Sequence, residues 1–222
     1  MTANSKGNCY LCGATVGKAA IKNHLIKHYG EDSDGQECYL LKAEGAFNKE
    51  YWLYFDVPLK ETLSCIDSFL RQIWLECCGH MSAFFLTSRL ELDEFDMEQK
   101  LMTFNAGTKL SHHYDFGTTT ETDITFIKAV KRKPQKKAVR LLARNVAPVF
   151  QCADCGKQAD YINSEIKYQS DNPYYCKKCS KKFGDGMMLP VTNSPRMGEC
   201  GYSGEDDDTF TFNLASFASG KG

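Results

Sequence analysis

Two groups of residues in the 222-residue chain have the types and spacing to hold a metal ion, and a third raises the question of thiol chemistry. Cys9, Cys12, His24 and His28 give C-x2-C-x11-H-x3-H. Two thiolates on a knuckle and two imidazoles one helical turn apart can meet one tetrahedral Zn²⁺, so this resembles a two-cysteine two-histidine zinc finger one residue short between its halves. Cys152, Cys155, Cys176 and Cys179 give C-x2-C-x20-C-x2-C. Paired knuckles at this separation read as a zinc ribbon, whose four thiolates leave no open position for water and so make the ion structural. The third group lies in LECCGHMSAFF, Leu75 to Phe85, with Cys77, Cys78 and His80. A thiol enzyme using Cys78 and His80 is one reading, and a metal site another. Adjacent residues rarely point at one ion, no matching fourth ligand is evident, and cysteine is among the most buried residue types, so packing is expected here.

Eleven cysteines gathered in tight clusters favour zinc over disulfides in a reducing compartment, so two zinc ions and a cytoplasmic protein are expected. No stretch approaches the roughly 18 apolar residues of a membrane span, and no membrane partner is expected.

Charge is segregated along the chain. Lys6, Lys18, Lys22 and Lys27 precede any acid, the middle is acidic, and a basic block follows: Lys128, Lys131, Arg132, Lys133, Lys136, Lys137, Arg140 and Arg144. Glu205 to Asp208 is acidic again. The basic block is a solvated face or a non-specific phosphate-binding surface, with Lys131, Arg132, Lys133, Lys136, Lys137 and Arg140 as its candidate contacts. The finger alone reads little sequence. Its base-facing positions would be Gly17, Ala20 and Asn23, of which only Asn23 offers a bidentate pattern, while Lys18, Lys22 and Lys27 could touch phosphates.

Four segments position these groups: a finger at 1–30, an α+β domain at 37–146, a ribbon at 147–189 and a polar tail at 190–222. EDSDGQ, Glu31 to Gln36, reads as a linker. ECYLLKA and YWLYFDV read as strands, the second stopped by Pro58. Leu63, Ile66, Leu70, Ile73 and Trp74 recur near a 3.6 period, which predicts a helix capped by Thr62. SAFFLTS reads as a buried strand, KLSHHYDFGTTTETDITFIKAV as a hairpin with Leu110, His112, Tyr114 and Phe116 on one face, and AVRLLARNV as a partner strand. His112 is expected to be a satisfied core histidine and Asp115 a turn-shaping residue. In NSPRMGECGYSG, Asn193 to Gly204, a tight loop with Arg196 as an anion ligand and a disordered tail with a free Cys200 both remain open.

Within residues 50–130 the order of motifs resembles the plasmid pRiA ORF-three-like family, also known as insertion-element TnpR passenger proteins. The matching positions are Val57-Pro58, Thr62-Leu63, His80-Met81 with Phe84, and Tyr114-Asp115-Phe116-Gly117. The chain departs from that family at Thr118, Thr120 and Thr122, where the family has Asp, Trp and His. The resemblance implies prokaryotic origin and a mobile-element context, with no assigned activity. The centre also lacks the serine-among-arginines arrangement a serine recombinase needs.

The expected architecture is therefore α+β, a mixed central sheet with packed helices, flanked by finger and ribbon. The leading functional expectation is a non-enzymatic zinc-binding adaptor whose partner is a protein or a nucleic acid; non-specific nucleic-acid binding and thiol catalysis are the alternatives.

Overall fold

The computed structural model describes residues 5–30, 35–87, 93–184, 186–205 and 210–218. Residues 31–34 of the expected linker, Arg89, and Asp206 to Asp208 of the acidic tail lie outside them.

The fold is dominated by sheet. Nine strands form the main one: β1 (Lys6–Cys9), β2 (Thr15–Gly17), β3 (Gln36–Gly45), β4 (Trp52–Pro58), β5 (Ser82–Leu86), β6 (Glu94–Phe95), β7 (Lys109–Tyr114), β8 (Thr120–Arg132) and β9 (Arg140–Asn145), in the order β2-β1-β9-β4-β3-β8-β7-β5-β6. The expected mixed sheet is antiparallel in every pairing between described strands. Neighbours such as β3 and β4 or β7 and β8 are joined by short turns, which can only return the chain antiparallel.

Alternation along the two central strands explains why their sequences are apolar almost throughout. Tyr39, Leu41 and Ala43 of β3 and Leu53, Phe55 and Val57 of β4 face one core. Cys38 and Leu40, with Trp52 and Tyr54, face another. Both sides of this part of the sheet are therefore covered, and no residue of β4 is exposed.

The first face is covered by α1 (Leu63–Leu70) and the π turn Arg71–Leu75 that continues it, through Leu63, Ile66, Phe69, Leu70, Ile73 and Trp74. Thr62 stands at the N-cap as expected, but its hydroxyl makes no capping bond. Backbone serves instead: Leu63 N–H donates to the Gln99 carbonyl at 3.1 Å and Ser64 N–H to that of Met97 at 2.8 Å. The second face is covered by the finger. Its helix αF (Lys18–Ile26) buries Ile21 and Leu25 against Trp52, Tyr54 and Leu142, and β1 pairs with β9 through Gly7 and Asn145. Among the described residues, the packed helices of the expected α+β centre thus reduce to one short α-helix on each face of the main sheet.

A second, three-stranded sheet comprises β10 (Tyr161–Asn163), β11 (Tyr174–Tyr175) and β12 (Met188–Pro190), in the order β11-β10-β12. Of the expected hairpin face, Leu110, His112 and Tyr114 are buried while Phe116 is 55% exposed. Asp115 is the reason: its φ of +64° ends β7, and its Oδ1 accepts the Gly117 N–H at 2.9 Å, the turn-shaping bond expected of it.

Candidate metal centres

Each cysteine knuckle is built by one local bond. Gly13 N–H donates to the Cys9 carbonyl, Gly156 N–H to that of Cys152 and Ser180 N–H to that of Cys176, each at 2.9 Å. Closing the chain this way puts the two sulfurs of each C-x2-C on one side. Gly13 and Gly156 follow their knuckles at φ of +77° and +69°, a region that glycine enters without a Cβ penalty.

In the finger, Cys9, Cys12, His24 and His28 bring one ligand atom each to within 4.8 Å of one another. Cys9 Sγ lies 3.7 Å from His28 Nε2, Cys12 Sγ 3.3 Å from His24 Nε2, and the two imidazole Nε2 atoms 3.2 Å apart. Bonds of about 2.3 Å to sulfur and 2.0 Å to nitrogen around one tetrahedral Zn²⁺ imply ligand separations of about 3.3 Å between nitrogens to about 3.8 Å between sulfurs. Burial, and then the neighbouring His24, lowers the pKa of His28 and so favours the neutral imidazole, the form that binds a metal.

In the ribbon, Cys152, Cys155, Cys176 and Cys179 meet within the same limit, with Cys155 and Cys176 sulfurs 3.7 Å apart. Burial opposes a Cys152 thiolate, but backbone bonds from Cys176, Cys155 and Asp154 outweigh it and bring the pKa to about 6. The Cys179 backbone N–H likewise lowers Cys176. Hydrogen bonding to Cys176 pushes Cys179 up to about 12, so four thiols sharing one space resist joint deprotonation until a cation compensates them.

A third cluster gathers Cys77, Cys78, His80 and Cys200. Packing was the expectation for the first three, and it holds only for Cys77, which is half-buried beside the main core. Cys78 is exposed, and the His80 side chain keeps 28% of its surface. Two backbone features bring adjacent cysteines to one point: Glu76 leaves the π turn in extended geometry, and Gly79 reverses the chain at φ +76°. The fourth member comes from Asn193 to Gly204. This segment is a run of tight turns packed on the main core through Met197, and its Arg196, considered as an anion ligand, is instead fully buried and bound to Asp115.

The basic block divides. Arg132 and Arg140 converge on fully buried Asp56: Arg132 Nε lies 2.8 Å from Oδ1, Arg140 Nη2 2.5 Å from Oδ2, and the Tyr29 hydroxyl donates to Oδ2 at 2.6 Å. Arg144 pairs with Glu205 at 2.8 Å. These three arginines are occupied, which removes Arg132 and Arg140 from the candidate phosphate contacts, whereas Lys128, Lys131, Lys133, Lys136 and Lys137 are exposed. In the finger, Lys18 pairs with Glu44 at 2.5 Å, while Lys22, Asn23 and Lys27 are exposed. His112 is completely buried, the core histidine expected, but it is satisfied on one side only: Nε2 lies 2.8 Å from Asp67, while Nδ1 has no hydrogen-bond partner among the described residues.

Among the described residues, no helix is long and apolar enough to cross a membrane. No family model and no curated protein matches the chain. The crystal structure of MM3350, a protein of unknown function from Methanosarcina mazei Go1, is similar over 55% of this chain and 76% of that one, at 15% identity and a TM-score of 0.41.

Proposed function

We propose that the protein is a zinc-binding adaptor that acts by binding rather than by catalysis, with the finger and the ribbon each held by one zinc ion. The ribbon carries this reading: four thiols from two knuckles meet in one place, and backbone bonds already favour thiolate at Cys152 and Cys176. A metal enclosed by four protein ligands has no position for water or substrate, so it stabilises structure instead of activating a reactant. The motif order of residues 50–130 supports membership of the plasmid pRiA ORF-three-like family, and the free thiols suit a reducing, cytoplasmic setting. Elemental analysis of the purified chain tests it. Cys12→Ser and Cys155→Ser should each lose one zinc ion per chain, and unchanged zinc in both would refute it.

A second reading, non-specific nucleic-acid binding, rests on five exposed lysines, Lys128, Lys131, Lys133, Lys136 and Lys137, along the end of β8 and the connection that leads from it to β9. Five phosphate contacts would make log affinity fall with log salt at a slope of about −4 to −5 on duplex DNA. Binding that ignores salt would dismiss this reading.

A further inference from the structure

The geometry points to a third zinc centre, formed by Cys77, Cys78, His80 and Cys200, that staples the Asn193 to Gly204 segment onto the end of the main sheet. It stands on its own residues, independent of the finger and the ribbon.

The ligand atoms already form a closed set. Cys78 Sγ lies 2.9 Å from His80 Nε2, 3.6 Å from Cys200 Sγ and 3.8 Å from Cys77 Sγ, and His80 Nε2 lies 3.1 Å from Cys200 Sγ. These separations are of the same size as those in the finger and the ribbon, where spacing alone indicates a metal. The sulfurs are far beyond the roughly 2.05 Å of a disulfide. Three thiols and one imidazole are soft and borderline ligands that suit Zn²⁺ rather than Mg²⁺ or Ca²⁺.

The surroundings supply what such a centre needs. Three thiolates around Zn²⁺ carry a net charge of about −1, and the Arg196 guanidinium stands beside them with Nη2 3.6 Å from Cys77 Sγ. That guanidinium is completely buried and fixed from three sides: it donates to Asp115 Oδ2 at 2.5 Å, to the Thr118 carbonyl at 2.5 Å and to Thr120 Oγ1 at 3.1 Å. The Tyr114 hydroxyl lies 3.9 Å from Cys77 Sγ, and Asp115, whose Oδ2 is 3.5 Å from the nitrogen His80 would give the ion, serves the centre by holding Arg196. Hydrogen bonds to ligating groups from a fixed surrounding layer orient them and tune their basicity.

Backbone strain marks the same place. Among the described residues, the non-glycine residues at positive φ are Asp115 at +64° and Cys200 at +43°. Strain of this kind persists where the surroundings over-determine it. Here one strained residue holds Arg196 and the other presents a sulfur.

Closing the centre joins positions 122 residues apart, Cys78 and Cys200. Such a link gives an otherwise strand-poor segment a fixed attachment, alongside Ser194, whose hydroxyl donates to the Trp74 carbonyl at 2.6 Å.

The test measures zinc per chain in the full-length protein and in Cys200→Ser, alongside iodoacetamide alkylation of the unmutated protein before and after chelation. The expected outcome is loss of one ion in Cys200→Ser and retention in Cys200→His, with Cys77, Cys78 and Cys200 protected together until the chelator is added. Equal zinc in Cys200→Ser and the parent, rapid alkylation of Cys78 in the zinc-loaded protein, or a Cys78–Cys200 disulfide in non-reducing peptide maps would each overturn it. Loss of zinc from Cys12→Ser or Cys155→Ser reads the other two centres separately. Should Cys200→Ser fail to fold, the alkylation pattern of the unmutated protein decides.

Discussion

At the scale of single residues, the buried charges offer sharp expectations. Asp67 accepts hydrogen bonds from Ser82 at 2.6 Å and Arg71 at 2.8 Å, and stands against His112. Burial works against its carboxylate, but the bonds from His112, Ser82 and Arg71 win and hold its pKa at about 2. A carboxyl depressed in the folded state contributes stability that is fully present above its unfolded value of about 3.9 and is lost as pH falls through the folded value. Burial also keeps His112 neutral when folded, although Asp67 pulls the other way, so the unfolded chain takes up a proton first as pH drops below about 6.5. Both effects have the same sign. Denaturant midpoints should fall from about pH 6.5 downward and again between about pH 4 and 2; in Asp67→Asn the second loss should shrink, and an unchanged acid limb would count against this assignment. Asp56→Ala should be severe, because Arg132 is buried and would lose its carboxylate; about 3 to 5 kcal/mol is expected from chemical denaturation. The local spacing of the eight finger and ribbon ligands was readable because each knuckle is built within five residues. Cys200 was not, since no local pattern ties it to residues 77–80; the signal that existed was an unassigned cysteine in a loop rich in glycine.

At the scale of elements, the strands were legible from alternation and turn residues, whereas their coverage was not. The apolar run Tyr51 to Val57 carries the information that both faces of β4 are covered, but it does not say by what. On one side the answer is αF of the finger, whose Ile21 packs against the sheet. This close docking depends on Gly7. A Cβ there would lie 2.2 Å from the Trp52 ring and 2.6 Å from the Arg144 carbonyl. Gly7→Ala should therefore cost about 1 to 3 kcal/mol and weaken zinc retention by the finger, measured by thermal melting and by competition with a chelator. An unchanged melting temperature would mean that β1 is not seated against Trp52 as described. Helix α1 shows a different override: its N-terminal amides are satisfied by the backbone of residues 97–99, so Thr62, well chosen as a cap by type, contributes its backbone conformation alone.

At the scale of the whole molecule, the three Cys/His clusters lie in different parts of one chain, and a zinc ion in each would fasten a different segment. One in the finger would hold the segment that covers the second face of the sheet, one in the ribbon would clamp residues 152–179, and one in the third cluster would tie the segment around Cys200 to the β5 end. Chelation should accordingly lower the melting temperature and raise protease sensitivity at 5–30 and at 190–204, with recovery on adding Zn²⁺. Charge segregation was visible in the sequence, but its meaning changed once partners were known, because Arg132, Arg140 and Arg144 serve internal carboxylates and leave only lysines outward. The most direct test is native mass spectrometry of the full chain under conditions that retain metal, read against its denatured mass. Three bound zinc ions are predicted; two would contradict the centre at Cys77, Cys78, His80 and Cys200, and one or none would contradict the account as a whole.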